Sequence, residues 1–167
     1  ELDTVLSNIG NPWGMEFLPN GDFLLTIQSG ELFRVTTDGQ KQVVQGVPKV
    51  LYKGQGGLLD IEIHPNFEKN GWIYLSYSKP NPSNDAEATT AIHRAKLNGN
   101  RLEEGKDIFV AKPYVSTRHH YGSRIEFDRE GYLYFSVGDR GRRDDHPQYL
   151  TNDCGKIHRI KEDGSIP

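Results

Sequence analysis

The chain has 167 residues, 35% of them hydrophobic and 26% charged, and its formal net charge is −3. That composition is globular rather than disordered, and no apolar run approaches the ~18 residues of a membrane-spanning helix. The charges are interspersed, without the basic face that a nucleic-acid partner calls for.

A single cysteine, Cys154, excludes an intramolecular disulfide. It has no histidine neighbour in sequence and is expected to pack as a small apolar residue. Glu1-Leu2-Asp3 lacks the basic flank and apolar run of a secretion signal, so any such signal is expected to have been removed or never to have been there. Eighteen glycines, against a usual share of ~7%, together with eight tyrosines and seven phenylalanines, favour short strands joined by tight turns.

In chain order the same unit recurs three times. Residues 14–26 read as a strand, a turn at Asn20-Gly21 and a second strand. Leu59–Pro65 and Trp72–Tyr77, joined through Asn70-Gly71, repeat the pattern, and Arg124–Ser136 turn at Glu130-Gly131 in the third copy. Each copy alternates apolar and polar residues with period two. A third strand follows in each at Glu31–Val35, Ala91–Ala95 and Lys156–Ile160, ending before Asp38-Gly39, Asn98-Gly99 and Asp163-Gly164. Fourth strands are expected at Gln42–Gln45 and Ile108–Val110. Four antiparallel strands per repeat of ~40–50 residues mark an all-β fold, a β-propeller with about three four-stranded blades. Inner strands are expected near residues 13–18, 58–63 and 123–127, Lys79–Asp85 as a surface loop, and Trp13 and Trp72 in the core.

A propeller closes with four to eight blades. Residues 1–167 are therefore expected to be the truncated N-terminal half of a single propeller domain. Its exposed blade faces would need the remaining blades or another copy to cover them.

Two stretches are richer than ordinary connections. Gly54-Gln55-Gly56-Gly57 allows close backbone approach, and Gln55 offers both a donor and an acceptor; a tight inter-blade turn is the alternative. Arg118-His119-His120 precedes the inner strand of the third unit, and Gly138-Asp139 follows its hairpin partner. The hairpin thus brings His119 or His120 near Asp139. A carboxylate beside a histidine fixes its tautomer and suits it to act as a general base, although a purely structural hydrogen bond accounts for the spacing equally well. Alternation along an extended segment should let only one of the two histidines face the funnel. No metal site is expected from His119, His120, Asp139, Asp144, Asp145 and His146, whose spacing matches no ligand motif. Arg140–Arg143 alternate with acids and read as a solvated turn.

These motifs resemble those of the soluble pyrroloquinoline-quinone-dependent sugar dehydrogenases, the glucose and sorbosone dehydrogenase family. The resemblance runs through Asn11–Gly21, Gly54–Asp60, His64–Phe67, His120–Arg124, Gly138–Gly141, Gly155–Ile160 and Asp163–Pro167. It implies a six-bladed propeller in the periplasm or outside the cell that oxidises the C1 hydroxyl of aldose sugars to the lactone. The implied cofactors are pyrroloquinoline quinone and Ca²⁺, whose ligands mostly fall beyond Pro167; the electron acceptor stays unassigned. It places the catalytic base on His120, its support on Asp139 and a sugar contact on Gln55. Asp144 stands where a second substrate-binding glutamine occurs, which implies an altered sugar contact. Ile27-Gln28-Ser29 departs from the family's Thr-Glu-Arg without an evident catalytic consequence. Two other readings share the scaffold: a non-catalytic binding module of the hedgehog-interacting-protein type, and a Ca²⁺-dependent lactonase-type propeller.

Overall fold

The computed structural model describes residues 3–167. It contains three antiparallel sheets in succession along the chain. The first comprises β1 (Pro12–Phe17), β2 (Phe23–Ile27), β3 (Leu32–Val35) and β4 (Lys41–Val44). The second comprises β5 (Leu58–Ile63), β6 (Trp72–Asn81), β7 (Asn84–Asn98) and β8 (Arg101–Val110), with a single helical turn, α1 (Phe67–Asn70), between β5 and β6. The third holds β9 (Gly122–Phe127), β10 (Leu133–Val137) and β11 (Lys156–Ile160), in the order β11-β10-β9. The expected inner strands are β1, β5 and β9. The third sheet has three strands rather than four, because no strand follows β11 among the described residues.

Period-two alternation explains how the sheets stack. On β6, Ile73, Leu75 and Tyr77 pack into a cluster with Leu24 and Leu32 of the first sheet. Tyr74, from the other face of β6, joins Ile125, Leu133, Phe135 and Val137 of the third. A strand buried on both faces reads as a nearly continuous apolar run, as 72–77 does. Each fully buried Leu or Ile contributes ~1.5–3 kcal/mol, so the central sheet is held from both sides.

The inner strands are also stitched by polar contacts. Thr26 Oγ1 accepts from the Gly14 N–H at 2.8 Å and donates to the Leu59 carbonyl. Asp60, almost fully buried, accepts from Arg124 Nη1 and from the Ile125 N–H, each at 2.8 Å. Gly14 is required here by proximity, since a Cβ would lie 2.9 Å from Asp60 Oδ1 and 3.1 Å from its Cα.

Two expectations are corrected. Residues 79–85 are not a separate loop but the tip of the long β6–β7 hairpin, where Lys79 pairs with Thr89 and Pro80 with Ala88. Trp13 and Trp72 are only half-buried: each packs against a core cluster and has a cation over its ring, Arg94 at 4.1 Å from the Trp72 centroid and Arg124 at 5.5 Å from that of Trp13. Cys154 is fully buried as expected, and burial pushes its thiol pKa up.

Candidate active site

The two glycine- and histidine-rich stretches meet. The Gln55 N–H donates to the Arg118 carbonyl at 2.8 Å, and Gln55 Oε1 accepts from the His120 N–H at the same distance. Gln28 supports this loop from the first sheet, its Nε2 donating to the carbonyls of Gly54 (3.0 Å) and Gly56 (3.2 Å). The residue that replaces the family's usual acid thus has a visible role as a brace, which sequence reasoning missed.

His120 Nδ1 and Asp139 Oδ1 are 2.8 Å apart. Asp139 Oδ1 also accepts from the Gly141 N–H at 2.7 Å, and His146 Nδ1 lies 2.9 Å from the Asp139 carbonyl. The hydrogen bond with His120, aided by the Gly141 amide, holds the Asp139 carboxyl below the usual carboxylate range. The His120 side chain is 52% exposed, and its Nε2 has no hydrogen-bond partner among the described residues. An imidazole with Nδ1 tied to a carboxylate and Nε2 open can accept a proton from a bound hydroxyl.

The alternation from which a single funnel-facing histidine is expected is absent here. Both His119 and His120 are exposed, with ring centroids 4.5 Å apart. Residues 117–121 are not an extended strand: His120 adopts φ +57°, in the left-handed region, so alternation does not apply. What distinguishes the two is the carboxylate, which bonds His120. The approach of the segments is tight at Gly138, where a Cβ would fall 2.0 Å from the His120 carbonyl oxygen.

Asp144 stands apart from this cluster. Its side chain is 88% exposed and its only ion pair among the described residues is with neighbouring Arg143, at 3.6 Å. Arg142 and Arg143 fit a solvated turn, but Arg140 does not, being fully buried. Its guanidinium donates to the carbonyls of Thr117 (2.8 Å), His119 (3.0 Å) and Ala88 (3.4 Å) and lies 3.4 Å from the Tyr121 ring centroid.

A second feature was visible but unread. Glu16, Glu62 and Glu126 occupy matching positions of the three inner strands, and their charges act on one another. Burial first, then Glu16 and Glu126, push the Glu62 pKa up to about 8. Among the described residues no three His, Cys, Asp or Glu side chains are grouped to hold a metal ion.

Residues 9–167 match the Glucose / Sorbosone dehydrogenase family. The chain belongs to this family. It is 34% identical to aldose sugar dehydrogenase YliI of Escherichia coli over 170 residues, covering 99% of this chain and 45% of that protein. The crystal structure of the soluble aldose sugar dehydrogenase from E. coli, in its apo form, superposes with a TM-score of 0.93 at 33% identity, over 99% of this chain and 48% of that one. The PQQ-bound aldose sugar dehydrogenase of Streptomyces coelicolor gives 0.81 at 28% identity, over 98% and 48%. The chain thus spans about half the length of these family members.

Proposed function

We propose that this chain belongs to a quinoprotein that oxidises aldose sugars at C1, with His120 as general base. One observation carries the reading: a half-exposed imidazole, tied by Nδ1 to Asp139 and open at Nε2, in a chain of the glucose/sorbosone dehydrogenase family. A module that only binds a partner has no use for a poised base, which favours the enzyme over the binding reading.

The open Nε2 of His120 is free to meet a sugar hydroxyl, and pyrroloquinoline quinone would supply the oxidant. Of this chain's residues, Arg124, which closes the His-x-x-x-Arg motif, would be the one to face the cofactor and His120, which opens it, the one to face the sugar; both are exposed. When bound, pyrroloquinoline quinone supplies the ortho-quinone that accepts a hydride from C1. His120 Nε2 takes the proton of the C1 hydroxyl, so that the hydroxyl oxygen becomes the lactone carbonyl. Asp139 stabilises the resulting imidazolium and holds the ring's orientation. Gln55 fixes the His120 backbone through its Oε1, leaving its amide group to meet the sugar; Asp144 would reach the substrate only from the rim. Among the described residues no three His, Cys, Asp or Glu side chains are grouped as Ca²⁺ ligands, and the family resemblance puts the Ca²⁺ ligands mostly beyond Pro167.

The test uses the full-length protein carrying this chain, with an artificial dye as electron acceptor. Aldose oxidation that depends on added pyrroloquinoline quinone is the expected result. Oxidation driven by a nicotinamide cofactor, or lactone hydrolysis without redox change, overturns the reading.

A further inference from the structure

Arg140 presents an unusual arrangement. It has no exposed surface, and among the described residues no carboxylate pairs with its guanidinium. Its Nε is buried without a hydrogen-bond partner. Burying a cation without a counter-ion costs several kcal/mol, so an apolar side chain would fill this space at lower cost. What only a guanidinium supplies is a planar fork of donors with a face that stacks on an aromatic ring.

The fork reaches three places at once. Nη1 and Nη2 hold the carbonyls of His119 and Thr117, the segment that carries His120. Nη2 also reaches Ala88 on β7, anchoring the assembly to the second sheet. The ring beneath it belongs to Tyr121, the residue after His120. In return, Thr117 Oγ1 donates to the Arg140 carbonyl at 3.0 Å. Arg140 directly follows Asp139 in the chain, and both His120 and Arg140 adopt left-handed φ values, +57° and +56°. Such conformations in residues other than glycine persist where surrounding contacts over-determine them. The two halves of the His120–Asp139 pair therefore lie on separate, strained turns joined by one buried side chain.

We infer that Arg140 is a positioning residue: its guanidinium clamps the 117–121 segment onto the 139–141 turn and so sets the His120–Asp139 hydrogen bond. The inference rests on the reading of His120 as the base, but the clamp itself is testable without it. In the full-length protein, Arg140→Lys keeps the charge but loses the fork, and Arg140→Met loses both. Thr117→Val leaves the guanidinium intact and removes only the return hydrogen bond. Each is examined for folding by thermal melting, for the low-field Nδ1–H proton resonance of His120, and for kcat and KM separately.

Folded variants are expected to show that resonance broadened or moved upfield, most in Arg140→Met and least in Thr117→Val. Their kcat should fall ~10–100-fold, as a small misplacement of a reacting group does, with KM nearly unchanged. A wild-type resonance in folded Arg140→Lys or Arg140→Met overturns the inference. If neither folds, an unchanged resonance in Thr117→Val does so. A protein without sugar oxidation would overturn the proposed function alone, since the resonance still reports on the clamp.

Discussion

Asp139 bonds His120 and not the adjacent His119, although the two imidazoles touch edge to face with centroids 4.5 Å apart. The selection is geometric: the left-handed turn at His120 directs Nδ1 to Asp139 Oδ1, which the Gly141 N–H already holds in place.

This asymmetry separates two neighbouring residues by experiment. On the proposed function, His120→Ala in the full-length protein should lower kcat for aldose oxidation ~10²–10⁴-fold, the usual contribution of a positioned base, while quinone binding measured by titration is largely retained. His119→Ala should be much milder. Asp139→Asn should fall between them, because the imidazolium loses its stabilising charge. Equal losses from both histidine substitutions would contradict the assignment.

Gly138→Ala tests the close approach of the two site segments. The added methyl would sit 2.0 Å from the His120 carbonyl oxygen, a backbone atom that cannot swing aside. We expect destabilisation of ~1–3 kcal/mol, typical of overpacking, read as a lowered melting midpoint together with loss of activity. A neutral variant would mean that the segments are farther apart than described.

Glu62 gives a pH dependence of defined sign. Its folded pKa is raised to about 8, so between about pH 4.3, where the unfolded chain ionises, and pH 8 the folded state holds a proton the unfolded state has lost. Stability from this group is full below that window and declines as pH rises through it. Glu62→Gln should therefore raise the melting midpoint at pH 8 and change it little at pH 4. The opposite trend would show that burial and the neighbouring carboxylates do not raise the Glu62 pKa in the folded state.

Asp107 works in the reverse direction. Burial would raise its pKa, but hydrogen bonds from His93, Lys79 and Tyr77 outweigh it and bring it to about 2. Its contribution is present above the unfolded value near 3.9 and is lost as pH falls toward 2. Asp107→Asn should remove on the order of 2 kcal/mol at neutral pH, one pKa unit being worth 1.36 kcal/mol. Urea midpoints measured at pH 7 and pH 2.5 should differ less in the variant than in the wild type.

The three-sheet architecture was legible because it is written in local signals. Alternation marks the strands, Gly-terminated turns mark the hairpins, and β1, β5 and β9 lie within about one residue of the positions read from the pattern. The approach of Asp139 to a histidine was legible too, since a hairpin brings its two ends together. The choice of His120 came from the family motif rather than from alternation, because no local pattern announces a left-handed residue in a His-His pair.

By itself the sequence determined which segments are strands, which pair as hairpins and which residue types gather at one end of the third sheet. These depend on period-two patterning and on turn residues a few positions apart. Only the tertiary structure decided that Arg140 is buried, that Gln28 and Gln55 brace His120 across two sheets, that Trp13 and Trp72 lie under cations, and that Glu62 sits among like charges. Apart from Trp72 and Arg94, which lie on the paired strands β6 and β7, each of these rests on contacts between residues that neither share a strand nor face one another across a hairpin. Such contacts are set by how whole sheets stack, and the energy of a buried charge depends on every carbonyl, ring and carboxylate that the stacking brings to it.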